Sequence, residues 1–334
     1  MKKRVILVSS ILFLTAFVFA TAEPAMAIEV KIGVGPAGVI GYMPTYVGQG
    51  LGYFKELEKK DIKVIFVNFK GGTPTALALL GKDIEFANMV LTHVVKSKAK
   101  GKDLKFLLTF FNAQVMAMIA RTADKDVTSP KDLVGKRIGI TRLGSATHMQ
   151  ARHILLHYGV DPNSVEYLPV GAGGCVVAWN KKTIDALVHL DPWISDLVDS
   201  GSARILYDVR SVANTVKLYG SEHPSSGLIT RPDYISSHPE VVQEIVNVYA
   251  KTLKWIHSHT PEEVAQVVSK ELGWKVSYVR NNISGLSKDG AIVDEGVGTV
   301  IKYLKKDKLL SQDFDYPYSV FYDDSFIKKA VKSF

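Results

Sequence analysis

The chain has 334 residues, of which 47% are hydrophobic, and a formal charge of +8. That length exceeds what one core usually fills and fits two lobes, and the apolar fraction excludes a disordered chain. The positive charge is spread along the sequence with no basic run interleaved with aromatics, so it reads as solvated surface and not as a nucleic-acid footprint.

The chain opens with Lys2, Lys3 and Arg4, runs apolar from Val5 to Ala20, and reaches Ala25-Met26-Ala27. A charged start, an apolar middle and an A-x-A end predict a secretory signal peptide over residues 1–27, cleaved after Ala27. The apolar run is short of the ~20 residues that span a bilayer, which disfavours a membrane anchor. The expected mature protein starts at Ile28, is soluble, and is periplasmic. The single cysteine, Cys175, has no intrachain partner and reads as a small buried residue in a Gly171-Ala172-Gly173-Gly174 turn.

Past the signal, strands and helices alternate. Val30–Val34 reads as a strand, and Pro44–Lys59 as a helix with Tyr46, Val47, Leu51, Phe54 and Leu57 near helical spacing. Ile62–Phe69 is apolar on both faces, as a buried parallel strand is. Gly71-Gly72-Thr73-Pro74 opens a helix through Leu80, with Thr73 as its cap. Strands follow at Ile84–Ala87 and Leu104–Phe111, with a helix at Leu91–Lys98 between them. The pattern restarts at Ser129-Pro130-Lys131-Asp132, with a strand at Arg137–Thr141 and a helix from Gly144 that Gly159 stops. Val165–Val170, Asp185–Val188 and Ala203–Tyr207 read as strands, and Pro192 starts a helix ending near Gly201. The last third is helical: Ser237/Glu240 and Thr260/Glu263 have capping-box spacing. Val241, Ile245, Val248, Tyr249, Leu253 and Ile256 mark one buried face. The expected fold class is α/β: two lobes, each a mixed sheet flanked by helices, with crossings near Asn112–Thr122 and Tyr219–Thr230. Lobe I is expected over 28–113 and 222–334, lobe II over 114–221. The cleft between them is the default ligand site.

Gly33-x-Gly35-x-x-Gly38 matches a dinucleotide fingerprint weakly, because the next helix starts only near Pro44 and no acid closes the second strand. Gly35–Gly38 reads instead as a flexible cleft loop, with Tyr42 and Met43 placed to touch a ligand or to pack. Gly71-Gly72-Thr73 and Gly144-Ser145-Ala146-Thr147 each join a strand to a helix start. Free N–H groups and the positive end of the helix dipole there suit a carboxylate, sulfonate or phosphate, against the plain alternative of capping. Asn88 and Met89 sit at a corresponding strand end. His153 and His157 share a helix face at a metal-ligand spacing, but nothing nearby in sequence completes a site, so packing is the better reading. No catalytic triad or paired-acid pattern stands out, and no cofactor or metal is expected.

Four stretches together resemble a known family. They are Pro44-Thr45-Tyr46-Val47-Gly48-Gln49-Gly50-Leu51-Gly52-Tyr53-Phe54; Asp132-Leu133-Val134-Gly135-Lys136-Arg137-Ile138-Gly139-Ile140 with Gly144-Ser145; Ile184-Asp185-Ala186 with Asp191-Pro192-Trp193; and Leu228–Ile235 with His238-Pro239-Glu240. In order and spacing they resemble the periplasmic substrate-binding proteins of the nitrate/sulfonate/taurine importers, which include the binding proteins for thiamine-pyrimidine precursors. The resemblance implies a hinged two-lobe fold of the type II kind and partnership with a membrane permease and its ATPase. A monomeric receptor, not an enzyme, is expected: two helix N-termini suit an anionic group and Tyr42 and Trp193 a flat body, so a small sulfonate, carboxylate or pyrimidine would fit. The resemblance also raises Ser145 and its neighbours as ligand contacts and places Asp191 and Trp193 at the cleft. Two alternatives stay open: an enzyme of the same fold in thiamine-pyrimidine or menaquinone synthesis, and a ligand sensor. The pyrimidine-forming enzymes of this resemblance carry a cysteine-rich motif that this chain, with only Cys175, lacks.

Overall fold

The computed structural model describes residues 27–333. Nearly all of the expected signal peptide lies outside the described residues. Ten strands form two five-stranded sheets. They are β1 (Ile28–Val34), β2 (Ile62–Asn68), β3 (Phe86–Val90), β4 (Lys105–Thr109), β5 (Met116–Arg121), β6 (Arg137–Ile140), β7 (Glu166–Pro169), β8 (Ala186–Leu190), β9 (Ala203–Asp208) and β10 (Ser226–Thr230). The helices before the second sheet are α1 (Met43–Gly50), α2 (Gly72–Leu80) and α3 (Thr92–Lys98). The second sheet carries α4 (Ala146–His157), α5 (Gly171–Asn180), α6 (Trp193–Asp199) and α7 (Val212–Tyr219). The C-terminal set is α8 (Pro232–Ser237), α9 (Pro239–His257), α10 (Pro261–Leu272), α11 (Val276–Asn282), α12 (Asp294–Lys306) and α13 (Ser325–Lys332). None of these helices is long and apolar enough to cross a membrane.

The two sheets repeat one plan. The first has the order β2-β1-β3-β10-β4 and the second β7-β6-β8-β5-β9. In each, the first three strands of the order pair in parallel, with Ile32 opposite Phe66 in the first sheet and Ile138 opposite Tyr167 in the second. The fourth strand of each order runs antiparallel to its neighbours and belongs to the chain as it arrives from the other lobe. β10 sets Leu228 against Asn88, and β5 sets Met118 against Val188. The fold is thus a two-lobed α/β fold of mixed sheets, with the chain crossing after β4 and again before β10.

Several expectations need correction. Both crossings are shorter than the sequence suggested, because Met116–Arg121 and Ser226–Thr230 are interior strands. Nearly every residue of the two strands is buried, as in a strand covered on both faces. β2 is an edge strand and only half-buried, not a central one. The opening helix stops at Gly50, and Lys55–Lys60 is a separate 3-10 turn. Gly52 ends it: with a φ of 74° it turns the chain out of the helix while its own N–H donates to Gln49 O and that of Tyr53 to Gly48 O.

Thr73 is inside the first turn of α2 and does not cap it; Gly71 holds the cap position. The Gly171–Gly174 stretch is the start of α5, so Cys175 is a buried helical residue rather than part of a turn. α7 follows β9 where no helix was expected. The Ser237/Glu240 box does not form. His238 holds the cap position of α9, while the Ser237 hydroxyl bonds back to Asp233 O inside α8. The Ser129/Asp132 and Thr260/Glu263 boxes do form. The expected face of α9 is buried throughout.

Segments from the C-terminal third tie the lobes beside the crossings. Asp191 is fully buried and accepts from Arg210 Nη1 (2.9 Å), Asn282 Nδ2 (2.6 Å) and Ser195 N (2.7 Å). Elsewhere His153 Nε2 of α4 lies 2.8 Å from Asp307 Oδ2, just past α12. His153 therefore packs, as expected, while His157 on the same helix is exposed. Among the described residues no group of His, Cys, Asp or Glu is placed to hold a metal.

Candidate functional site

A cavity of about 340 Å³ lies between the two sheets. Its walls follow one rule: each of the six parallel strands delivers a segment to it just past its C-terminal end. β1 is followed by Gly35, Pro36, Val39, Gly41 and Tyr42; β2 by Lys70, Gly71, Gly72 and Thr73. β3 ends at the wall with Val90 and continues into Thr92, His93 and Lys96. From the second sheet come Thr141, Arg142, Gly144, Ser145, Ala146, Thr147 and Met149 after β6, Gly171 after β7, and Leu190 at the end of β8. The crossings supply Val115, Met116, Ser225 and Ser226. Ligand sites of open α/β sheets occur at this end because helix starts and their free N–H groups collect there.

The first-lobe loop is held in place rather than loose. Tyr42 Oη donates to Gly35 O (2.7 Å), Gly38 N donates to Tyr46 Oη (2.7 Å), and Trp274 Nε1 donates to Gly38 O (3.3 Å). Burial pushes the Tyr46 phenol up to about 12 and that of Tyr42 still higher, so both stay neutral. The Tyr42 ring therefore offers the cavity an apolar face.

In the second lobe Thr141, Ser145 and Thr147 form a closed triangle of hydroxyls, with separations of 2.8, 2.8 and 2.9 Å. Ser145 caps α4 by accepting from His148 N, and Gly144 N donates to His148 Nδ1. Gly144 needs its positive φ of 73° to make this turn. The amides of Ala146 and Thr147 have no partner among the described residues and point the start of α4 at the cavity.

The remaining wall is cationic. Lys70, Lys96 and Arg142 line the cavity, and no Asp or Glu is among the residues that do. The Arg142 guanidinium reaches across the cleft to lie against Gly71. His93 packs so tightly on the first turn of α2 that a Cβ at Gly72 would collide with its Nε2. Burial, with Lys96 and Arg142 adding to it, lowers the His93 pKa to about 4, so its ring is neutral. Burial also lowers the Lys96 pKa, with Lys100 in the same direction and Asp307 opposing.

Of the residues expected from sequence, Tyr42, Gly71, Gly72, Thr73, Gly144, Ser145, Ala146 and Thr147 come together on these walls. The other five do not line the cavity. Met43 and Met89 are fully buried in the first lobe's core. The Asn88 amide is engaged by Thr45 (2.6 Å) and Tyr249 (3.2 Å). Asp191 is saturated by the contacts described above. Trp193 stacks edge-on against His189, with ring centroids 4.5 Å apart, and packs into both lobes' cores. Lys70, Thr92, His93, Lys96 and Arg142 were not singled out from sequence. Lys70 directly precedes Gly71-Gly72, and Arg142 stands two residues before Gly144, so the motifs themselves carried that signal.

A family model described as NMT1/THI5 like matches residues 40–264. The chain belongs to this family. Two curated relatives are similar to it over different spans. The taurine-binding periplasmic protein of Escherichia coli K12 is 26% identical over 180 residues, 52% of each chain, so the match spans about half of that protein. The putative aliphatic sulfonates-binding protein of Bacillus subtilis 168 is 24% identical over 342 residues, covering 99% of this chain and 98% of that one. Among solved structures, the alkanesulfonate-binding protein SsuA from Xanthomonas axonopodis pv. citri, bound to MOPS, superposes with a TM-score of 0.69. It is 16% identical, with 92% of this chain and 98% of that chain covered.

Proposed function

We propose that this protein is the solute-binding receptor of an ABC-type importer and captures a small organic anion in the cavity between its lobes. One observation carries the reading: a cavity walled from both sheets gathers Lys70, Lys96, Arg142 and two open helix starts, with no carboxylate among its lining residues. The apolar walls, Tyr42, Val39, Val115, Met116 and Leu190, suit the body of an alkyl or aryl sulfonate or carboxylate. The names of the two curated relatives, for taurine and aliphatic sulfonates, support the same ligand class.

In this reading Tyr42, Gly71, Gly72, Thr73, Gly144, Ser145, Ala146 and Thr147 contact the ligand. Lobe I comprises 28–113 and 222–334, and lobe II 114–221; the shared sheet of β1–β4 and β10 supports that division. The mature protein is periplasmic, monomeric, and delivers its ligand to a permease with its ATPase. Catalysis forms no part of the role. Burial pushes the Cys175 thiol up to about 11, which removes the one thiolate nucleophile the sequence offers. Native mass spectrometry of freshly purified protein, followed by calorimetry with the compound found, tests the reading. A bound organic anion is expected. A co-purified neutral or cationic compound that calorimetry confirms as the tight binder would overturn it.

A further inference from the structure

We propose that His93 donates a hydrogen bond to the ligand's anionic group, so that a proton enters the cavity together with the anion. This rests on the reading of the cavity as an anion site and adds to it a residue and a pH dependence. His93 is on the cavity wall, and neither ring nitrogen has a hydrogen-bond partner among the described residues. Half-buried polar rings with no partner are uncommon, because an unsatisfied nitrogen loses its hydration without replacement. Its ring is held by close packing against Gly72, so it has a fixed aim rather than a free rotor. The first-turn amides of Gly72 and Thr73 are unpartnered beside it. A ligand oxygen placed there meets two backbone donors and the imidazole at once.

The charges around His93 decide its state. Lys96 follows one turn later on α3, and Arg142 faces it from the second lobe. The lining residue Lys70 comes from the segment before α2, and α2 itself carries no ionisable side chain. Beyond α12, Asp307 acts on Lys96. With the cavity free of anion, desolvation and two cations keep the imidazole neutral, with its pKa lowered to about 4. An anion between Lys96 and Arg142 offsets both cations and accepts from the ring. Both effects favour the imidazolium, and the pKa returns toward its ordinary ~6.5 or above. The bound form then holds more protons than the free form across the interval between those values. By linkage, affinity rises as pH falls through it.

The test is titration calorimetry of the mature protein in pairs of buffers that differ in ionisation enthalpy. The probes are ethanesulfonate, benzenesulfonate, benzoate and phenylphosphonate. The two sulfonates stay fully ionised across this range, so any proton they bring in binds the protein. A sulfonate that binds should bring close to one proton per ligand at about pH 5.5 and close to none at about pH 7.5. Its affinity should be about tenfold higher at the lower pH. His93→Gln keeps an amide donor but cannot titrate. It should remove the proton uptake and flatten the affinity to within about twofold over the same range. Sulfonate binding without proton uptake, or uptake that survives in His93→Gln, overturns the role of His93 and leaves the anion site standing. If none of the four probes binds, the anion-site reading itself falls, and this inference with it.

Discussion

Replacing Asp191 with Ala should destabilise the protein through its lobe junction and not through its cavity. The carboxylate is fully buried and accepts three hydrogen bonds, from Arg210, Asn282 and the Ser195 amide. Removing it leaves a guanidinium that is 3% exposed, a buried amide and a helix N–H without that acceptor. Breaking one side of a buried pair costs about 3–5 kcal/mol. Here the low end applies, because Asp208 still holds Arg210 bidentately at 2.9 and 2.7 Å. The expected loss is therefore about 3 kcal/mol in urea or guanidinium unfolding. Removing the arginine as well, as Asp191→Ala with Arg210→Met, should recover at least about 1 kcal/mol, since the guanidinium is then gone and Asp208, which loses its partner, is 29% exposed and within reach of water. A loss under about 1 kcal/mol for the single variant, or strict additivity in the double, would refute the reasoning.

Two further outcomes follow from the structure and one from the sequence. His189 and His223 are buried, and desolvation lowers each to about 4, with His153 adding to the effect at His223. The unfolded chain then binds more protons than the native one between about pH 6.5 and that value. Stability should thus fall as pH drops through this window, by up to about 3 kcal/mol per histidine. His189→Phe should shallow the dependence seen in unfolding at about pH 7 and pH 5, and an unchanged slope would exclude His189 as a source. Ser145→Ala removes the α4 cap and one hydroxyl of the triangle, so unfolding should show a loss of about 1 kcal/mol. Its ligand affinity should drop by one to two decades in calorimetry if the hydroxyl meets a charged group, and a wild-type affinity reduces Ser145 to a cap. N-terminal sequencing of exported protein should begin at Ile28; a retained apolar run would end the secretion argument.

Much of this was visible before any coordinates. Thr260 and Glu263 cap a helix through neighbouring backbone, so their spacing alone was enough. The α9 face followed from a long 3.6-residue period. Gly144-Ser145-Ala146-Thr147 was recognisable because a cap, a glycine and a preceding strand lie within a few residues of one another. Where the expectation went astray, distant partners had intervened. Ser237 had the spacing of a cap but is the last residue of α8, so its hydroxyl was already used. Asn88 and Asp191 stood at strand ends suited to a ligand, yet Tyr249 and Arg210, contributed by other segments, had taken their hydrogen bonds.

The sequence by itself determined the alternation of elements, the two-lobe class, and the glycine-rich helix starts, all of which depend on residues a turn or two apart. Tertiary structure alone decided which polar groups remain free. Lys70, His93, Lys96 and Arg142 are ordinary charged or titratable residues spread along the sequence, yet they share one cavity wall because β2, β3 and β6 end at the same place. Met116–Arg121 looked like a linker and is the antiparallel strand that stitches the second lobe together. Local propensity cannot supply such facts: whether a side chain packs, pairs or faces a ligand depends on what the fold brings against it from far along the chain.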